Sequence, residues 1–188
     1  MGGKCIIISA PSGAGKTTIV KRLMQAGLGL EFSVSAASRK PREGEIDGKD
    51  YYFISSEEFK KKIQNGDLLE WQEVYKDQFY GTLKSEVERI WGKGHHVLFD
   101  VDVQGGINLK AMYPEQSLSI FIMPPSLEEL EKRLRLRSTE SEESLKKRLE
   151  KAGGEITFAN RFDRTIVNDI LEDAVQKAIA EVRQFTGS

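Results

Sequence analysis

The stretch Ala10-Pro-Ser-Gly-Ala-Gly-Lys-Thr17 constrains the chain more than any other. It follows a β-branched run, Lys4–Ser9, that reads as a strand buried on both faces. It precedes Ile19, Val20 and Leu23, which recur at helical spacing. Strand, glycine-rich turn and helix open a βαβ unit. The octapeptide matches G-x-x-x-x-G-K-[ST] except at Ala10, which stands for the first glycine. Alanine is tolerated there if its φ is negative. Gly13 and Gly15 let backbone N–H groups turn inward as an anion nest, and the next helix points its N-terminus at the same place. In such a loop Lys16 bridges the β- and γ-phosphates of a nucleoside triphosphate, and the Thr17 hydroxyl ligates Mg²⁺. Ala10, Pro11, Ser12, Gly13, Ala14, Gly15, Lys16 and Thr17 are therefore candidate cofactor-binding residues for ATP with Mg²⁺. A glycine-rich turn that merely contains lysine is the rival reading; the strand before and the helix after argue against it.

Further along, strand and helix patterns alternate. Strands are expected at Leu30–Ser35, Tyr51–Ile54, Leu68–Tyr75, His96–Val101, Ser117–Met123 and Arg164–Val167. Residues 36–50 are polar, carry Pro41, Gly44 and Gly48, and read as a loop. Ser55 with Glu58 is a capping box for a helix over about 56–65, and Ser126 with Glu129 is a second one. Leu83, Val87, Ile90 and Trp91 fall on one helical face, and Val103–Lys110 reads as helix. Leu145, Leu149, Ala152 and Ile156 mark another, and Leu171, Val175, Ala178, Ile179, Val182 and Phe185 a last, amphipathic one. The alternation predicts a three-layer α/β fold with a mainly parallel sheet and a small α+β insertion over about 36–82. Ligands then sit at the carboxyl ends of the strands.

The chain's 188 residues suit one domain with small inserted lobes. A formal net charge of −1 leaves no overall basic footprint for nucleic acid. The single cysteine, Cys5, excludes an internal disulfide and reads as a buried thiol. No apolar run approaches membrane-spanning length and no leader pattern is seen. A cytoplasmic, non-membrane protein is expected, with monomer and homodimer both open.

Two acids end the expected strand at residues 96–101. Asp100 is the position for a second Mg²⁺ contact, directly or through water. Alternation along an extended strand puts Asp102 on the same face as Asp100. Arg39 and Arg42 lie three apart in the polar loop, and arginine forks suit phosphate oxygens. Arg133, Arg135, Arg137 and Arg148 flank a hydroxyl-rich segment that suits a closing lid. For Arg133 and Arg135 the rival is plain ion pairing with Glu140, Glu142 and Glu143.

Taken in order, SAPSGAGKTT (9–18), FSVSAASRKPREGEIDGKDYYF (32–53), LLEW (68–71), FYGT (79–82), LFDVDVQG (98–105), IFIMPPS (120–126), RLRLRST (133–139) and IVND (166–169) resemble guanylate kinase over nearly the whole chain. The resemblance implies the P-loop NTPase fold and transfer of phosphate from MgATP to GMP or dGMP. It implies a core of 1–35 and 83–188, a GMP-binding lobe of 36–82, and a helical lid over about 136–150. By position, Arg39, Arg42, Tyr51 and Tyr80 would hold the GMP phosphate. Ser35, Glu70 and Thr82 would read guanine, with Asp102 facing either guanine or metal. Lys16, Arg137 and Arg148 would be catalytic, and Asn168 would lie near adenine. The bare chemistry agrees for Glu70: guanine offers two donors on one edge, and a carboxylate accepts from both. Guanylate-kinase-like modules that only bind peptides are the alternative; they typically lose the lysine or the guanine readers, all of which stand here.

Overall fold

The computed structural model describes residues 2–136 in full, the backbone of residue 137, and residues 142–187. Two sheets organise these residues. The first has the order β2 (Leu30–Phe32), β7 (His96–Asp100), β1 (Cys5–Ser9), β8 (Ser117–Met123), β9 (Arg164–Val167), and every pairing in it is parallel. β1 lies at its centre with no exposed residue, which is why its sequence is an unbroken apolar run.

Alternation along β1 divides the core into two layers. Ile6 and Ile8 pack with Ile19, Val20 and Leu23 of α1 (Lys16–Gln25) and with Ala174, Val175, Ala178 and Val182 of α7 (Leu171–Thr186). Cys5 and Ile7 face the other way, against Val87 and Ile90 of α3 (Lys84–Gly92) and Leu109 of α4 (Val103–Met112). Burial pushes the Cys5 thiol up to about 12. Helix, parallel sheet, helix is the expected three-layer arrangement.

The second sheet is built wholly from residues 36–83, in the order β4 (Tyr52–Phe53), β3 (Ala36–Ala37), β6 (Gln78–Leu83), β5 (Leu68–Tyr75). Here β6 pairs antiparallel with both neighbours. Helix α2 (Ser56–Asn65) covers it with Phe59, which packs with Ala36, Leu68, Phe79 and Leu83. The capping box expected at Ser55 and Glu58 is formed in both directions. Beyond β8, α5 (Leu127–Arg137) and α6 (Glu142–Ile156) pack through Leu130, Leu134, Leu145 and Ala152.

Several local expectations differ. The strand expected at Leu30–Ser35 stops at Phe32, and the chain crosses to the second sheet as β3 inside the supposed loop. Leu83 ends β6 and caps α3 rather than sitting in the helix. At α5 the Ser126 hydroxyl accepts from the Glu129 N–H at 3.1 Å, but Glu129 turns its carboxylate to Arg133 at 3.2 Å, so only half of that capping box forms.

The crossing between the sheets is held by Glu86, only 3% exposed. Its carboxylate accepts from the Val34 N–H and the Tyr52 hydroxyl, each at 2.9 Å, and from Arg89 at 2.8 Å. Burial works against its charge, yet these donors hold the carboxyl below the ordinary glutamate range. The stability it contributes is complete above pH 4.5, its ordinary value, and is lost as pH falls through the lower folded pKa. Glu86→Ala is expected to lower the unfolding free energy by about 2–4 kcal/mol, because the buried Val34 N–H and the half-buried Tyr52 hydroxyl lose their acceptor. Urea unfolding at pH 7 measures this; a loss below about 0.5 kcal/mol, the scale of a neutral surface change, would show the junction is held by packing alone.

Candidate active site

The chain leaves β1 at the centre of the parallel sheet and enters residues 10–15. Gly13 and Gly15 take φ of 94° and 95°, values that other residues rarely adopt. Ala10 is not among the positive-φ residues, so its substitution for glycine carries no backbone strain. A Cβ on Gly13 would come within 2.8 Å of Leu134 on α5, so that helix seats directly on the loop. Gly15 caps α1. Lys16 follows as its first residue, with Thr17 exposed beside it. The Lys16 ammonium pairs with Asp100 and donates to the Val101 carbonyl at 2.8 Å.

Across from Lys16 opens a cleft of about 500 Å³ between the two sheets. It brings together Lys16, Asp100 and Asp102 from the core with Ser35, Arg39, Arg42, Tyr51, Glu70 and Tyr80 from the second sheet and its loops. Thr82 joins them from beneath: it is 1% exposed and donates its hydroxyl to Glu70 at 2.6 Å. Burial pushes the Glu70 carboxyl above the ordinary glutamate range; the Thr82 hydroxyl opposes that, and the Asp102 carboxylate adds to it.

Arg39 is the most elaborately held of these groups. Its guanidinium lies 5.2 Å from the Tyr51 ring centre, 5.4 Å from Phe53 and 6.0 Å from Tyr80. Its Nε donates to the Tyr80 hydroxyl at 2.9 Å. Both terminal nitrogens donate to Glu45, at 2.6 and 2.7 Å. Glu45 also accepts from the Arg42 N–H at 2.7 Å. Arg39 and then Arg42 hold the Glu45 carboxyl down at about 2. Burial pushes the Tyr51 phenol up, so it remains a donor at neutral pH. Glu45 had no role in the sequence reading. A glutamate in a polar loop carries no periodic signal, and only its spacing after Arg39 and Arg42 hinted at pairing.

Asp102 departs from expectation. β7 ends at Asp100, and Asp102 is the N-cap of α4, accepting from the Gly105 N–H at 2.7 Å. It therefore does not share a strand face with Asp100, although both line the cleft. Thr17 and Asp100 both line a second hollow beside α1. Among the described residues no cluster of three or more His, Cys, Asp or Glu side chains suits a resident metal. One hydroxyl and one carboxylate instead suit Mg²⁺ that arrives on a triphosphate and keeps most of its water.

From α6, Arg148 reaches the loop and donates to the Ser12 hydroxyl at 3.1 Å. The side chain of Arg137 lies outside the described residues. Arg135 pairs with Glu131 and Glu142, the plain ion pairing weighed for it. Asn168 is buried behind the loop, with its amide on the Ala14 carbonyl at 2.7 Å. β9, which ends at Val167, positions it there.

A parallel sheet that feeds a glycine-rich, lysine-bearing loop into a helix N-terminus defines the class of P-loop nucleotide-binding proteins. The facing arginines, phenols and half-buried glutamate add a second polar site across the cleft. The guanylate kinase family profile matches residues 2–184, and the chain belongs to that family. The guanylate kinase of Bacteroides thetaiotaomicron is 51% identical over 185 residues, covering 98% of this chain and 91% of the relative. That of Porphyromonas gingivalis is 50% identical, with 97% of each chain covered. The crystal structure of guanylate kinase from Anaplasma phagocytophilum superposes with a TM-score of 0.78 at 33% identity, covering 100% of this chain and 88% of that one. Among the described residues no helix is long and apolar enough to cross a membrane.

Proposed function

We propose that the protein transfers the γ-phosphoryl group of ATP to GMP or dGMP, giving ADP and GDP. The observation that carries this reading is the cleft itself. Lys16 of the phosphate loop forms one wall with Asp100 and Asp102, and Glu70, backed by Thr82, forms the other with Arg39, Arg42, Tyr51 and Tyr80. Residues 1–35 and 83–188 are the nucleotide-binding core, 36–82 the acceptor lobe, and about 136–150 the lid.

The donor triphosphate lies on the backbone N–H groups of residues 13–17, with Lys16 moving from Asp100 onto the β- and γ-phosphates. Mg²⁺ bound with ATP supplies further charge neutralisation. The Thr17 hydroxyl would hold it, and Asp100 would support it directly or through a water. The acceptor's guanine places N1–H and N2–H₂ against the Glu70 carboxylate, with Ser35 and Asp102 on its edge. Thr82 fixes which way the carboxylate points. The acceptor phosphate competes with Glu45 for Arg39, and Arg42, Tyr51 and Tyr80 complete its donors. One of its oxygens attacks the γ-phosphorus in line while the bond to the β–γ bridging oxygen breaks. That oxygen is already anionic, so no strong base is required. Catalysis is positioning plus charge neutralisation, with Arg137 and Arg148 brought over the transferring group by the lid. Closure also excludes water as a rival acceptor. The buried lone thiol fits a reducing, cytoplasmic setting.

A coupled assay with GMP, AMP, UMP and CMP tests the reading. GMP is expected to exceed AMP in kcat/KM by about 10⁴-fold, since AMP offers the Glu70 carboxylate no matching pair of donors. Equal rates with AMP would defeat the guanine site.

A further inference from the structure

Asn168 follows β9 and is 4% exposed, yet it carries an amide. Its Nδ2 donates to the Ala14 carbonyl at 2.7 Å. A carbonyl only accepts, so chemistry settles which end of the amide faces the loop. Ala14 is itself fully buried, between the two glycines at φ 94° and 95°. Where successive N–H groups turn toward an anion, an intervening carbonyl turns away and needs a donor of its own. The helix does not supply one. The first bonds of α1, from the Thr18 and Ile19 N–H groups, both end on the Gly15 carbonyl. The amide also fills space: a Cβ on Gly15 would sit 2.2 Å from Nδ2.

Asn168 is in turn fixed at both ends of its peptide. Its N–H donates to the Met123 carbonyl at 2.8 Å. Its carbonyl accepts from Arg133 of α5 at 3.0 Å. The side chain is thus a strut between the end of the sheet, the base of the α5–α6 pair and the outer side of the phosphate loop.

We propose that Asn168 is a positioning residue for the triphosphate: it holds the Ala14 peptide so that the loop's N–H groups converge, independently of the donor's base. This rests on the kinase reading above. It differs from a contact with adenine, because a strut behind the loop affects any ligand that carries the phosphates. It also makes α5 a partner of the loop, since Arg133 orders the residue that orders Ala14.

The test uses the full chain carrying Asn168→Ala, which removes the strut, or Asn168→Asp, which keeps its shape but cannot donate. MgATP, inorganic tripolyphosphate in magnesium buffer, and GMP are each titrated by calorimetry. Both variants are expected to bind ATP and tripolyphosphate more weakly by one common factor, about 10- to 100-fold. GMP affinity is expected to stay within about twofold, as befits a site in the other sheet. Weaker ATP binding with unchanged tripolyphosphate binding would make Asn168 a base contact and overturn the proposal. Unchanged binding of both, or an equal loss for GMP, would overturn it too. Wild-type protein that bound neither ATP nor tripolyphosphate would instead sink the kinase reading, before any variant was made.

Discussion

Replacing Lys16 with alanine is expected to cut kcat by about 10³-fold, the scale seen when one charge clamp on a transferring group is lost. The fold should survive. Among the described residues the ammonium bonds to Asp100 and the Val101 carbonyl. Both charged side chains of that pair are 21% exposed, so water screens the carboxylate that remains, and the stability lost is about 1 kcal/mol or less. The effect on turnover is large because negative charge builds between two polyanions, and Lys16 enters the cleft from the helix N-terminus where the donor phosphates converge. Lys16→Arg should not restore the rate, since a planar fork cannot replace a compact point charge in so tight a loop. A coupled assay beside a thermal melt measures both quantities. Turnover within tenfold of wild type would remove Lys16 from the chemistry.

Glu70→Gln is the second large effect, and its two readouts should move in opposite directions. Glutamine keeps an oxygen for the Thr82 hydroxyl but presents one acceptor and one donor toward the acceptor base. Guanine's two N–H donors then lose one partner and meet a donor. The expected fall in kcat/KM for GMP is about 10²- to 10³-fold, with the KM for ATP unchanged. Folding should respond the other way. Burial and the nearby Asp102 raise the Glu70 carboxyl's pKa in the folded chain, although Thr82 opposes the shift. Folding stability therefore declines as pH rises from the ordinary glutamate value to the raised one. The neutral amide avoids that penalty, so at pH 7 the variant should melt at a higher temperature than wild type. A selective rise in the ATP KM, or a lower melting temperature, would contradict the assignment. For the wild type, GMP affinity should fall on acidification earlier than an ordinary glutamate would allow.

Much of this architecture was legible where local pattern and tertiary fate coincide. Cys5–Ser9 is apolar throughout because the strand has helices on both faces, and the loop that follows needs its glycines for backbone reasons alone. The crossing between the sheets was not legible. Apolar alternation runs on through Ser33–Ser35, while the crossing out of the first sheet is held by Glu86, some fifty residues away in sequence and accepting from the Val34 N–H. β3 is two residues long and has no periodicity to read. Asp102 was misplaced because alternation assumes an extended strand, and the chain turns after Asp100 to start α4. Arg39 and Arg42 stood out only as paired forks in a polar loop, and Glu70, Tyr51 and Tyr80 were recoverable only as a family pattern, since each by itself is an ordinary strand side chain. Glu45 offered only its spacing after two arginines, and the strut at Asn168 depends on a partner that no spacing rule connects.

The burial of Cys5 has a practical consequence. The only thiol in the chain is wholly enclosed, and its proton is held up to about 12. A maleimide therefore has nothing to attack until the central strand is uncovered. Labelling of the wild-type chain becomes a clock for global opening. Cysteines introduced on either wall of the cleft can carry dyes for distance measurements, with no need to remove the native one first.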